Sequence, residues 1–100
     1  EIVLLIVAIL NGEAYSVSII EELEKRLNRN SSLGAIQTVL KRLEEKKMLQ
    51  SDFGNATKTR GGKRKRLYKI TSSGQKVLEQ TRNQRNSLWD AIPKFSYNIS

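Results

Sequence analysis

The spacing of apolar residues changes along the chain, and each change marks an element. Ile2 to Leu10 is apolar throughout, so periodicity alone does not choose between helix and strand. A buried first helix ended by Gly12 is the expected reading. From Ala14 to Leu27 the period is helical, with Val17, Ile20, Leu23 and Leu27 as the apolar stripe. Ser18 with Glu21 three residues on has the form of a capping box. Glu21/Lys25 and Glu22/Arg26 are opposite charges one turn apart on the wet face. A polar turn, Asn28 to Ser32, follows. The next helix is predicted from Leu33 to Lys47, capped by Ser31 or Ser32. It would bury Ile36, Leu40 and Leu43, with Val39 beside them.

Beyond Met48 the period falls to two. Leu49, Ser51 and Phe53 alternate with Gln50 and Asp52; later Arg66, Tyr68 and Ile70 alternate with Lys65, Leu67 and Lys69. Two short strands joined by a loop containing Gly54, Gly61 and Gly62 predict a hairpin. Thr71 is the expected cap of a last helix, Ser72 to Ile92, stopped by Pro93. Three helices, a hairpin and a helix predict a mainly α fold with a small β-hairpin, of the α+β kind. The division it suggests is a winged helix-turn-helix over residues 2–71, a C-terminal helix over 72–92 and a tail over 93–100.

Length and composition narrow the function. One hundred residues make one domain, or one domain with an appended helix, whose small core gains from any partner that buries more surface. The chain has no cysteine and no histidine. That excludes disulfides, the usual zinc sites, and catalysis by a thiol or an imidazole. The acids scatter and no glycine-rich phosphate loop follows a strand, so neither an enzyme nor a cofactor is expected. The apolar run Ile2 to Leu10 is far short of the ~20 residues that span a membrane. With no basic residue before it and no small-residue cleavage site after it, it does not read as a signal peptide either. The chain starts at Glu1 rather than Met, so its true start is expected to lie upstream. The lack of cysteine fits a reducing cytoplasm, and a nucleoid-associated protein is the expectation.

Charge points to a polyanion. The net charge is +8, and Lys58, Arg60, Lys63, Arg64, Lys65, Arg66 and Lys69 follow one another without an acid between them. Such a run repels itself, and a phosphate backbone would relieve that repulsion and release counterions. On the third helix, Gln37, Thr38 and Lys41 share one polar arc. Gln can bond bidentately to adenine, Thr can meet the thymine methyl, and Lys can reach guanine or phosphate. Glu44 and Glu45 would repel phosphate and suit solvent or a partner within the protein. The candidate DNA contacts are Ser32, Gly34, Gln37, Thr38, Lys41, Arg60, Lys63, Arg64 and Lys65. Either face is also compatible with an ordinary solvated surface.

The blocks AYSVSIIEELEKRLN, SLGAIQTVLKRLEEKKML, RGGKRKRLYKITSSGQKVL and LWDAI occur in that order. Together they resemble the PadR family of winged-helix regulators over residues 2 to 92. The specific features are Ala14-Tyr15, Leu33-Gly34-Ala35, Leu40-Lys41-Arg42-Leu43-Glu44, the Arg60-Gly61-Gly62 turn, and Thr71 with Gly74. The resemblance implies a bacterial, repressor-like homodimer whose third helix reads DNA, whose hairpin is the wing and whose last helix dimerises. It also implies a small aromatic effector, since many members respond to phenolic acids, drugs or other small ligands. Gln37 stands where the family usually has Tyr, so an operator cannot be borrowed. The single last helix resembles the short class.

The last helix points to dimerisation independently. Its middle, Gln80 to Asn86, is polar, and its end carries Leu88, Trp89 and Ile92. Such an end needs another surface, most simply the same helix or the first helix of a second copy. Leu5, Val77, Leu88, Trp89 and Ile92 are the candidate interface; docking of Leu88 and Trp89 on their own domain is the competing reading. Trp89 is also a candidate platform for a planar ligand. A sequence-specific DNA-binding regulator is the leading expectation. A winged-helix protein-interaction module and a sequence-indifferent architectural DNA binder are the alternatives.

Overall fold

The computed structural model describes residues 1–53 and 65–93. Its elements are α1 (Ile2–Leu10), α2 (Ser16–Leu27), α3 (Leu33–Glu45), β1 (Leu49–Phe53), β2 (Arg66–Ile70) and α4 (Ser72–Asp90). Ile2 to Leu10, left open by its pattern, is a helix. It buries Leu4, Ile6 and Val7 and leaves Ile2, Leu5 and Ile9 at the surface. The core gathers these three with Ala14, Ile19, Leu23, Ile36, Leu40, Leu49 and Tyr68.

In α2 the stripe differs from expectation. Ile19 and Leu23 are buried, whereas Val17 and Leu27 are each 47% exposed. The helix also starts at Ser16, not Ala14. Ala14 instead lends its carbonyl to the Tyr68 amide (2.8 Å), a one-residue strand on the free edge of β2. With Ala14 held on the sheet and the helix starting at Ser16, Ile19 is fully buried in the core. Ser18 is the third residue of the helix rather than its cap. Its Oγ accepts from the Tyr15 amide (2.9 Å) and donates to the Glu13 carbonyl (2.8 Å).

Ser32 caps α3, accepting from the Ala35 amide at 3.1 Å. The helix ends two residues before the expected Lys47. Lys47 adopts φ 64°, and the Lys47 and Met48 amides turn back to the Glu44 and Leu43 carbonyls. This satisfies the last carbonyls of the helix in the Schellman manner, and it does so without glycine. The chain then enters β1, which pairs antiparallel with β2 in the register Leu49↔Ile70, Ser51↔Tyr68, Phe53↔Arg66.

Thr71 caps α4, accepting from the Gly74 amide at 3.0 Å, and its own hydroxyl donates to the Lys47 carbonyl at 2.7 Å. Gly74 lies so close to the α3–β1 turn that a Cβ there would overlap the Met48 carbonyl oxygen and stand 2.9 Å from Ile70 Cγ1. From that joint α4 passes α1, and Arg85 pairs with Glu1 at 2.5 Å beside the first turn of α1. Its 19 residues extend about 28 Å. The helix ends at Asp90, two residues short of expectation, with Ala91 as its cap. Among the described residues, no helix is long and apolar enough to cross a membrane.

Candidate nucleic-acid interface

Four of the expected contact residues, Gly34, Gln37, Thr38 and Lys41, stand on α3 at helical spacing and are all exposed. Ser32 is exposed too, but its hydroxyl is engaged in the cap. Thr38 donates its hydroxyl to the Gly34 carbonyl at 2.9 Å, so its proton is spent inside the helix and its remaining lone pairs and methyl are what it can offer a base. A Cβ on Gly34 would meet nothing within 4 Å. Packing therefore does not require glycine there, although glycine costs a helix interior about 1 kcal/mol.

At the loop end of the hairpin strands the structure describes two cations, Lys65 and Arg66. Lys65 is exposed; its ammonium lies 4.3 Å from the centre of the Tyr15 ring and donates to the Tyr15 hydroxyl at 3.3 Å. Tyr15 caps α2, so one cation of the hairpin rests against the first helix of the helix-turn-helix pair. Arg66 lies 4.5 Å above the Phe53 ring and donates to Ser51 Oγ at 2.8 Å. Ser51 donates to Glu44 Oε2 at 2.6 Å, which ties the hairpin to α3. Burial pushes the Tyr68 phenol above its usual range; nearby Arg66 offsets this and nearby Glu44 adds to it.

Arg60, Lys63 and Arg64 lie outside the described residues, as does Lys58. Reasoning from sequence did not find Tyr15, or the chain from Glu44 through Ser51 to Arg66. The alternation of the strands places Ser51 and Arg66 on one face and could have paired them. Nothing in the pattern connects that face to Glu44.

The residues named for subunit contact are divided. Leu5 is 43%, Leu88 70% and Trp89 60% exposed, while Val77 and Ile92 are partly covered within the chain. Ile2, Leu5, Ile6, Ile9, Arg26 and Leu27 line an apolar groove between α1 and α2. Among the described residues, no cluster of three or more carboxylates forms a metal site.

The family model for the transcriptional regulator PadR-like family matches residues 4–80. Among solved structures, the chain is similar to a PadR family transcription regulator from hypervirulent Clostridium difficile R20291. The two share 26% identity with a TM-score of 0.75, over 94% of this chain and 96% of that one. A PadR family transcriptional regulator from Eggerthella lenta DSM 2243 shares the fold at 24% identity and TM-score 0.73, over 93% of this chain and 79% of that one. A PadR-like transcription factor from Bacteroides fragilis shares it at 21% identity and TM-score 0.75, over 99% and 86%. No curated protein sequence matches the chain.

Proposed function

The chain belongs to the PadR-like family of transcriptional regulators, a DNA-binding winged-helix family, and from that premise we propose that it is a homodimeric repressor that reads its operator with α3. The observation that carries this is the arc of Gly34, Gln37, Thr38 and Lys41, exposed together on the second helix of the helix-turn-helix pair. None of these side chains is part of the core. Gln37 and Thr38 read base edges, Lys41 reaches guanine or phosphate, and Ser32 and Gly34 lie where a backbone phosphate approaches the start of α3. Arg60, Lys63, Arg64 and Lys65 supply affinity through phosphate.

A second copy covers the end of α4 and the exposed face of α1, through Leu5, Leu88, Trp89 and Ile92, with Val77 at the margin. Dimerisation sets two α3 helices at a fixed spacing, as two half-sites require. Trp89 is the residue best suited to stack a planar aromatic effector in that interface. The C-terminal helix is then a dimerisation unit distinct from the winged domain over residues 2–71. In a bacterial cell such a regulator works in the cytoplasm on the nucleoid.

The test is a gel shift on the DNA upstream of the protein's own gene, set against random DNA. Preference for the upstream DNA is expected, and Gln37→Ala or Thr38→Ala should cost about 1–3 kcal/mol on it and little on random DNA. Equal weakening on both would reduce these residues to backbone contacts. No preference in the wild type would favour an architectural binder, and no binding at all a protein-interaction module. Replacing Lys63, Arg64 and Lys65 with Ala should weaken all DNA alike and lower the log–log salt slope by about 0.9 for each phosphate no longer neutralised.

A further inference from the structure

One face of the hairpin is built from three cross-strand pairs, Leu49 with Ile70, Ser51 with Tyr68 and Phe53 with Arg66. Leu49 and Tyr68 are buried. The third pair lies where the hairpin leaves the body, and there the apolar face gives way to an aromatic ring and a guanidinium. The guanidinium is held from two sides, 4.5 Å above Phe53 and 2.8 Å from Ser51 Oγ. A serine hydroxyl has one proton, and that of Ser51 goes to Glu44 Oε2 at 2.6 Å. A lone pair on the same oxygen is therefore left to accept from Arg66. Both bonds are charge-assisted, at the cationic and the anionic end. Glu44 is half-buried in the last turn of α3, whereas neighbouring Glu45 is exposed.

We infer that Glu44, Ser51 and Arg66 form a clamp that sets the angle between wing and recognition helix, and that Arg66 is a positioning residue rather than a phosphate contact. The inference rests on the reading that α3 and the wing both meet DNA. Arg66 belongs to the basic run, yet its charge is directed inward, towards a carboxylate on α3. Lys65, one residue earlier, is exposed like Arg66 but differs in its contacts: among the described residues it meets the Tyr15 ring and hydroxyl, and it carries a compact ammonium that can turn to phosphate. Two adjacent cations thus have different roles. The serine between the charges also explains how an acid can sit at the end of a DNA-reading helix without repelling the duplex: its charge is matched inside the protein.

Two measurements test this. The first needs no DNA: urea unfolding of Glu44→Ala, Arg66→Ala and the double variant. Coupled residues give a double variant whose midpoint falls by less than the sum of the two single falls; additive falls overturn the clamp. The second is salt titration on upstream and random DNA. Arg66→Ala and Ser51→Ala should each lower the upstream-to-random ratio about tenfold, the size of one base contact, with the salt slope unchanged. Ser51→Thr, which keeps the hydroxyl, should retain the ratio. Lys65→Ala, in contrast, should lower the slope by about 0.9. A slope that falls by that amount in Arg66→Ala, with equal weakening on both DNAs, overturns the inference. Absence of DNA binding in the wild type would instead remove the functional reading, and the unfolding cycle would still decide whether the clamp exists.

Discussion

The two halves of α4 have almost the same polarity in sequence but opposite relations to the rest of the chain. The first half is locked: Thr71 bonds the Lys47 carbonyl, Gly74 lies against the Met48 carbonyl, and Leu78 packs on the core. In the second half, residues 82–91 are all exposed, and an Arg85–Glu1 pair links it to α1. A helix is continuous in its hydrogen bonds, so the first half fixes the direction of the second. Whatever meets Leu88 and Trp89 is therefore held at a set angle to α3, whose terminal turn forms the other side of the joint. The difference is one of burial. The inner half completes one subunit, and the outer half leaves Leu88 70% and Trp89 60% exposed.

Substitutions of like kind in the two regions should separate the two roles. Leu40 is 0% exposed, and Leu40→Ala should cost about 2–5 kcal/mol, lowering the urea midpoint at every protein concentration. A small effect there would mean that the body is not held by the core described. Gly74→Ala should cost about 1–3 kcal/mol as an overpacked joint, read by thermal melting. It should also disturb DNA binding more than its stability loss explains, because α4 is re-aimed. Wild-type melting in Gly74→Ala would show that the joint yields easily. Arg85→Ala removes a pair whose side chains are 65% and 26% exposed, and pairs of that kind contribute about 0.2–1 kcal/mol. Leu88→Ala should leave the stability of the subunit within about 0.5 kcal/mol, because the position is exposed and Ala is at least as good a helix former. It should nonetheless abolish the dependence of melting temperature on protein concentration that a dimer shows. If Leu88→Ala destabilises the chain equally at all concentrations, the outer half of α4 belongs to the subunit core and the contrast fails.

What the sequence made legible follows the range of the forces involved. The fall of the period from 3.6 to 2 at Leu49, the Ser32 and Thr71 caps and the exposed arc of α3 are local, and each stands where the pattern put it. The stripe of α2 was not legible in this way. Val17, Ile19, Ile20, Leu23 and Leu27 contain two overlapping helical stripes, and choosing between them requires knowing that Ala14 joins the sheet at Tyr68. The left-handed Lys47 had no glycine to signal it. The clamp on Arg66 joins residues from α3, β1 and β2, a convergence that no single period records. In the wing, the sequence showed where positive charge accumulates, and only the structure distinguished Lys65 from Arg66.

Sedimentation equilibrium of the wild-type chain and of Trp89→Ala, at micromolar concentration and without DNA, tests most directly whether the outer half of α4 is built for a second copy. An interface tryptophan buries about 150–250 Å², worth several kcal/mol at ~25 cal/mol per Å², and a two-fold interface counts it twice. The wild type should sediment with twice the mass of one chain, and the variant should shift strongly towards the mass of a single chain. A wild type that stays at the mass of one chain, or a Trp89→Ala variant that dimerises as tightly as the wild type, would contradict the account.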